Sequence, residues 1–211
     1  MRVLPYFLLC RVVGQWPPGH RHSAWLGLAA LVLALAGQGA AQAYEHPADA
    51  SGGERNHIAF HLRGKVVHVA DGDTFTIMVD GRQQRVRMAS IDAPETGKSR
   101  ERPGQPMGQA SKKALAELIA GKTLALDCYE KDQYGRNVCD VPLADGGTAS
   151  QRQVAAGMAW ANMEGRGKFM RDPSLPGLEQ KAREARLGLW RDAHPVKPWA
   201  WRYDCWKKGR C

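Results

Sequence analysis

A chain of 211 residues suits one domain with extensions and is too short for several. A composition of 44% hydrophobic and 24% charged residues is that of an ordinary globular protein, which excludes a largely disordered or polytopic membrane chain. The net charge of +9, of which three arginines and no acid fall in residues 1–43, leaves +6 on the remainder and favours polyanionic partners, nucleic acid or an anionic envelope.

The first 43 residues read as an export signal. His20, Arg21 and His22 precede an apolar stretch from Ala24 to Ala36, and Ala41-Gln42-Ala43 supplies a small-x-small cleavage site. That apolar stretch falls short of the ~20 residues a membrane span needs, so no stable span is expected after cleavage; an uncleaved anchor is the alternative. Residues 44–57 are polar and glycine-rich, and read as a flexible linker. A domain is expected over 58–194, followed by a basic tail over 195–211 that is rich in Trp and holds two cysteines.

Strand patterning starts near Ile58. Lys65-Val66-Val67-His68-Val69 is β-branched, and Phe75, Ile77 and Val79 alternate with Thr74, Thr76 and Met78. Asp80-Gly81 predicts a hairpin turn, after which Arg85 and Arg87 alternate with Val86 and Met88. Pro94 ends this region, and residues 97–106 form a basic loop. Met107, Ala110, Ala114, Leu115, Leu118 and Ile119 follow helical spacing up to Gly121. Two further strands are expected over Thr123–Cys128 and Asn137–Leu143, then a helix over Ala149–Gly157. A third helix is expected with Leu178, Ala182, Ala185 and Leu189 on one face, ending around Gly188. Five strands with about three helices predict an α+β, mainly β fold, a small closed barrel of the OB type.

Four cysteines follow the signal, and an even number in an exported chain favours disulfides. Three pairings are possible. Cys128–Cys139, flanking the Tyr134-Gly135 turn, with Cys205–Cys211 closing a terminal loop, is favoured; zinc ligation is the rival, although the spacings match no common zinc motif.

The chemistry concentrates between Val69 and Glu95. Asp73 is expected to begin one strand and Asp92 to end its hairpin partner, which would set two carboxylates side by side. Adjacent carboxylates repel unless a cation lies between them, and hard oxygen donors favour calcium or magnesium over zinc. The histidines show no ligand spacing.

At Asp71-Gly72-Asp73-Thr74, at Arg87 followed by Asp92-Ala93-Pro94-Glu95-Thr96, and at Asp132-Gln133-Tyr134-Gly135-Arg136, the chain resembles the staphylococcal-type thermonucleases. The likeness continues through Gly157-Met158-Ala159 and Gly188-Leu189-Trp190. It implies that Asp73, Asp92 and the carbonyl of Ala93 would bind Ca2+, that Glu95 would be the general base or orient the attacking water, and that Arg87 and Arg136 would hold the scissile phosphate. Asp71 would lie behind the metal-bound waters. The implied reaction is endonucleolytic hydrolysis of DNA and RNA leaving 3′-phosphate ends, with single-stranded substrate preferred because an OB groove admits unpaired bases. The product would be secreted or periplasmic. Ala93 replaces a threonine of a well-known member, a change that spares a backbone ligand. Gln133 and Met163 replace a lysine and a tyrosine of its nucleotide pocket. A noncatalytic nucleic-acid-binding OB module is the alternative, as is an envelope-associated structural protein held by the basic tail.

Overall fold

The computed structural model describes residues 57–211; the expected signal and all of the expected linker but His57 lie outside them. Among the described residues, no helix is long and apolar enough to cross a membrane.

Five strands close into a barrel: β1 (Phe60–Val69), β2 (Thr74–Val79), β3 (Arg82–Met88), β5 (Thr123–Lys131) and β6 (Asn137–Asp140). Around it the order is β1-β2-β3-β6-β5, with β3 and β6 parallel and the other neighbours antiparallel. A short β4 (Ile91–Asp92) pairs instead with β7 (Trp160–Ala161) in a separate two-stranded sheet. The helices α1 (Gly108–Ile119), α2 (Ala149–Ala155) and α4 (Leu175–Glu184) are the three longer ones, and α3 (Glu164–Gly167) and α5 (Pro198–Trp201) are single turns.

Alternation along the strands decides the core. Phe75, Ile77, Val86, Met88, Leu124, Leu126 and Val141 point inward, and Leu115, Ile119 and Val154 from the helices close over them. Burying such side chains stabilises the fold by roughly 25 cal/mol per Å² of apolar surface removed from water. Cys128 and Cys139 face each other across the β5–β6 ladder and are joined by a disulfide, as are Cys205 and Cys211.

The expected Asp80-Gly81 hairpin is present; the turn places both residues at positive φ, 47° and 74°. Three expectations need correction. Asp92 does not end the hairpin partner of Asp73's strand: β3 stops at Met88, and Asp92 lies on β4. The break comes at Ser90, whose φ of 67° turns the chain out of the barrel. That left-handed backbone costs a non-glycine residue about 1–2 kcal/mol. The buried Ser90 hydroxyl offsets this by accepting the backbone N–H groups of Arg171 at 2.9 Å and Asp172 at 3.2 Å. Likewise β6 ends at Asp140, short of Leu143, and beyond it Pro142 bridges only to Thr148. The third helix stops at Glu184, because Arg186 adopts a left-handed φ of 51°; Leu189 sits in a following 3-10 turn (Gly188–Arg191), its N–H donating to Gly157 O.

Candidate active site

The loop between β1 and β2 carries Asp71-Gly72-Asp73 and is clamped from below by two helices. A Cβ on Gly72 would lie 1.8 Å from Ser111 Oγ on α1, so only glycine permits that contact. The buried amide of Gln153 on α2 donates to Gly72 O at 2.8 Å and to Ser111 O at 3.1 Å. Similarly, a Cβ on Gly108 would meet Glu95 O at 2.2 Å, which lets the start of α1 press directly on the Glu95 backbone.

From this base the acids converge. Asp73 is buried; its Oδ1 accepts from the Thr74 hydroxyl at 2.8 Å and its Oδ2 from the Ala93 N–H at 3.0 Å. The second bond ties the β1–β2 loop to the residue after β4. Arg87 spans the two aspartates, with Nη1 3.1 Å from Asp73 Oδ2 and Nη2 3.1 Å from Asp92 Oδ1. Its register explains the reach: Arg87 lies opposite Thr74 in the β2–β3 ladder, next to Asp73. Asp92 is fully buried and Glu95 nearly so. The Glu95 N–H donates to Gln105 Oε1 at 3.1 Å.

A residue from the far end of the chain completes the cluster. Arg202, in the tail helix Arg202–Lys207, donates from Nη2 to Asp92 Oδ2 at 2.7 Å and from Nη1 to Asp92 Oδ1 at 3.1 Å and Glu95 Oε1 at 2.9 Å. The tail was expected to be basic and Trp-rich, but nothing local marks Arg202 out from its basic neighbours. Contact across more than a hundred residues leaves no periodicity to read. Arg136 is placed differently again. At the β5–β6 turn its Nε pairs with Asp132 Oδ2 at 2.7 Å and its guanidinium lies 5.3 Å from the Tyr134 ring. The structure therefore gathers Asp73, Arg87, Asp92, Ala93 and Glu95, adds Arg202, and leaves Arg136 bound to its own turn.

The electrostatics follow from this crowding. Burial, then the charge of Asp73, pushes the Asp71 carboxyl up to about 8. Burial acts on Asp73 in the same sense, but the Arg87 charge and hydrogen bonds from its neighbours outweigh it and hold the carboxyl below the usual range. Burial also raises Glu95, against the opposing pull of Arg202. Both guanidiniums are held more firmly protonated than usual by their carboxylates despite burial.

Among the described residues, no three His, Cys, Asp or Glu side chains group closely enough to hold a metal by themselves. Asp73 and Asp92 offer hard carboxylate oxygens, which in this structure accept from Thr74, the Ala93 N–H, Arg87 and Arg202. Such oxygens suit a calcium ion, which commonly completes its six to eight ligands with water and substrate oxygens.

A closed barrel of mixed strands with a buried carboxylate–guanidinium cluster at one end defines an OB-type fold equipped for chemistry on an anionic substrate. Residues 85–192 match the family model described as "Staphylococcal nuclease homologue". An uncharacterized endonuclease of Escherichia coli is 39% identical over 142 residues, covering 67% of this chain and 86% of that protein. A micrococcal nuclease of Shigella flexneri is 38% identical over 149 residues, covering 67% and 80%. An uncharacterized endonuclease of Haemophilus influenzae is 34% identical over 139 residues, covering 65% and 71%. The chain belongs to the staphylococcal nuclease homologue family, and as a member is a phosphodiester hydrolase acting on nucleic acid.

Proposed function

We propose that this chain is an exported, calcium-dependent endonuclease that hydrolyses DNA and RNA with little sequence specificity and leaves 3′-phosphate ends. The observation that carries the reading is the buried Asp73–Arg87–Asp92 bridge with Glu95 beside it. A pure binding module gains nothing from burying acids next to the place a phosphate must occupy. Export is supported by the leader pattern and by two disulfides, which persist in oxidising compartments.

Asp73, Asp92 and the Ala93 carbonyl would hold the ion. Bound there, calcium supplies positive charge to the phosphoryl oxygens and eases deprotonation of water. Arg87, whose terminal nitrogens hold Asp73 and Asp92, stays charged at every working pH and so offsets the negative charge that grows on the phosphate. Arg136 is held by Asp132 in this structure and would contact the same phosphate only after leaving that pair. Glu95 takes the proton of the attacking water; its raised pKa makes it a better base than an exposed glutamate. Attack at phosphorus then breaks the bond to the 5′ oxygen, which takes up a proton from water, and the phosphate stays on the 3′ oxygen. Contacts confined to phosphate carry no sequence information, which accounts for broad specificity. Single strands are preferred because their bases can splay into an OB groove.

Plasmid and single-stranded DNA incubated with calcium or with chelator, followed by end-group analysis, test this. Cleavage only with calcium, leaving 3′-phosphate termini, is expected. Binding that persists in chelator with no cleavage under any condition would mark a noncatalytic module instead.

A further inference from the structure

We propose that Arg202 is a further residue of the cation site: an internal guanidinium that competes with the divalent ion for Asp92, and so sets how tightly and how selectively the ion binds. The inference rests on the calcium site proposed above.

The acceptor oxygens decide it. Both oxygens of Asp73 are taken, by Thr74, Ala93 and Arg87. Asp92 Oδ1 is shared between Arg87 and Arg202. Asp92 Oδ2 is held by Arg202, through the shortest ion pair of the cluster at 2.7 Å. A calcium ion would sit roughly 2.3–2.6 Å from a ligand oxygen. Three N–H groups from two guanidiniums thus occupy Asp92, two on Oδ1 and one on Oδ2, which crowds a cation approaching either oxygen while the Arg202 fork stays in place. A guanidinium and a dication on one carboxylate also repel each other.

Of the two arginines, Arg202 is the one that can yield. Arg87 is bonded to Asp73, to Asp92 and to the backbone carbonyl of Ile91, and its side chain is 18% exposed. The Arg202 side chain is 31% exposed and comes from the tail. Charge makes the same point. Asp73 and Asp92 lie against Arg87, Glu95 lies against Arg202 with Lys98 farther off at 3.9 Å, and Arg202 brings to Asp92 the positive charge that a bound dication would otherwise bring.

The tail keeps this competitor at hand. The indole N–H groups of Trp201 and Trp206 both donate to Pro103 O, at 3.2 and 2.9 Å. Gln105 bonds the Glu95 N–H with one end of its amide and Val196 O with the other. The Cys205–Cys211 disulfide closes the chain just beyond Arg202. Displacement is therefore intramolecular, with the guanidinium at a high effective concentration beside the carboxylate it left. A dication replaces on Asp92 the charge that Arg202 withdraws, which a monovalent ion does only in part.

Calorimetric titration of calcium into the full chain without nucleic acid tests this on wild type, Arg202→Gln, Arg202→Lys and Asp92→Asn. Removing the competitor should tighten calcium binding by about tenfold or more, a size usual for coupling between two sites. Arg202→Lys, which keeps the charge but not the fork, should fall between wild type and Arg202→Gln. Unchanged or weaker binding in Arg202→Gln would overturn the competition, since a merely structural arginine can only loosen the site when lost. Unfolding temperature, measured alongside, must show a folded variant; Arg202→Lys provides the second reading should Arg202→Gln fold poorly. Calcium binding by neither wild type nor Arg202→Gln would overturn the calcium reading itself. Binding retained by Asp92→Asn at wild-type strength would overturn the assignment of Asp92 to both partners.

Discussion

Arg202 holds both carboxylate oxygens of Asp92, at 3.1 and 2.7 Å, although 110 positions of chain separate them. The pair draws the C-terminal segment into the cluster that the β1–β2 loop, β3 and β4 build. The site is thus assembled from both ends of the described chain.

Arg87 joins two buried aspartates that would otherwise repel, so its loss should be felt twice. Arg87→Ala should lower the stability of the metal-free protein by ~3 kcal/mol, the usual cost of stranding a buried carboxylate. Arg87→Lys keeps the charge but loses the planar fork. Its turnover should drop by ~10²-fold or more, the scale of losing a preorganised donor. Chemical denaturation and initial rates on single-stranded DNA measure the two. Near-native turnover in Arg87→Lys would remove Arg87 from the chemistry.

Glu95 lies on the edge of the cluster and accepts from Arg202. Glu95→Gln keeps the shape and can still accept that hydrogen bond, but cannot take a proton. Turnover should fall by about 10²–10⁴-fold while affinity for DNA stays nearly constant. Rates and equilibrium binding on the same samples separate the two effects; a parallel loss of affinity would assign Glu95 to binding.

Asp71 should make the metal-free protein less stable as pH rises. Its carboxyl stands at about 8 in the folded chain against an ordinary 3.8, so between those values the native state holds a proton that the unfolded state has released. Stability from this group is complete at low pH and declines as pH climbs through about 8. Unfolding temperatures measured in chelator from pH 5 to 9 should fall more steeply for wild type than for Asp71→Asn. Equal slopes would show that Asp71 does not carry the effect.

Ser90 turns the chain at a positive φ and fixes the turn with its hydroxyl. Ser90→Ala leaves the strained backbone in place and removes the acceptor for two N–H groups, so a loss of about 1–3 kcal/mol is expected. Ser90→Gly relieves the strain while losing the same bonds, and should be the milder change in thermal unfolding. The opposite order would refute this account of the β3–β4 break.

The disulfide between Cys128 and Cys139 closes an 11-residue separation across β5 and β6. Replacing both cysteines by alanine should cost roughly 2–4 kcal/mol, mainly by freeing the unfolded chain. Denaturation of the double variant against wild type under non-reducing conditions checks it.

Much of this was legible along the chain. Alternation located the barrel strands and Asp80-Gly81 located the hairpin. Arg87 and Glu95, in contrast, were singled out by the family resemblance, and the hairpin pairing expected to join Asp73 to Asp92 is not what brings them together, since Asp92 lies on β4. The partner of β4 was not legible: two residues carry no period, and Ser90 gives no turn signal until its backbone angle is seen. Arg136 could be placed at its turn, yet not given its partner, since Asp132 and a phosphate offer it the same kind of oxygen.

What the sequence by itself determined was the alternation of the barrel strands and the Asp80-Gly81 hairpin, since both are set by residues a few positions apart. The tertiary structure alone decided that Asp92 leaves the hairpin for a sheet of its own, and that Arg202 stands among the carboxylates. Those placements depend on which distant surfaces pack together, as Trp201 and Trp206 do on Pro103, and packing of that kind is a property of the folded whole, unwritten in any single stretch.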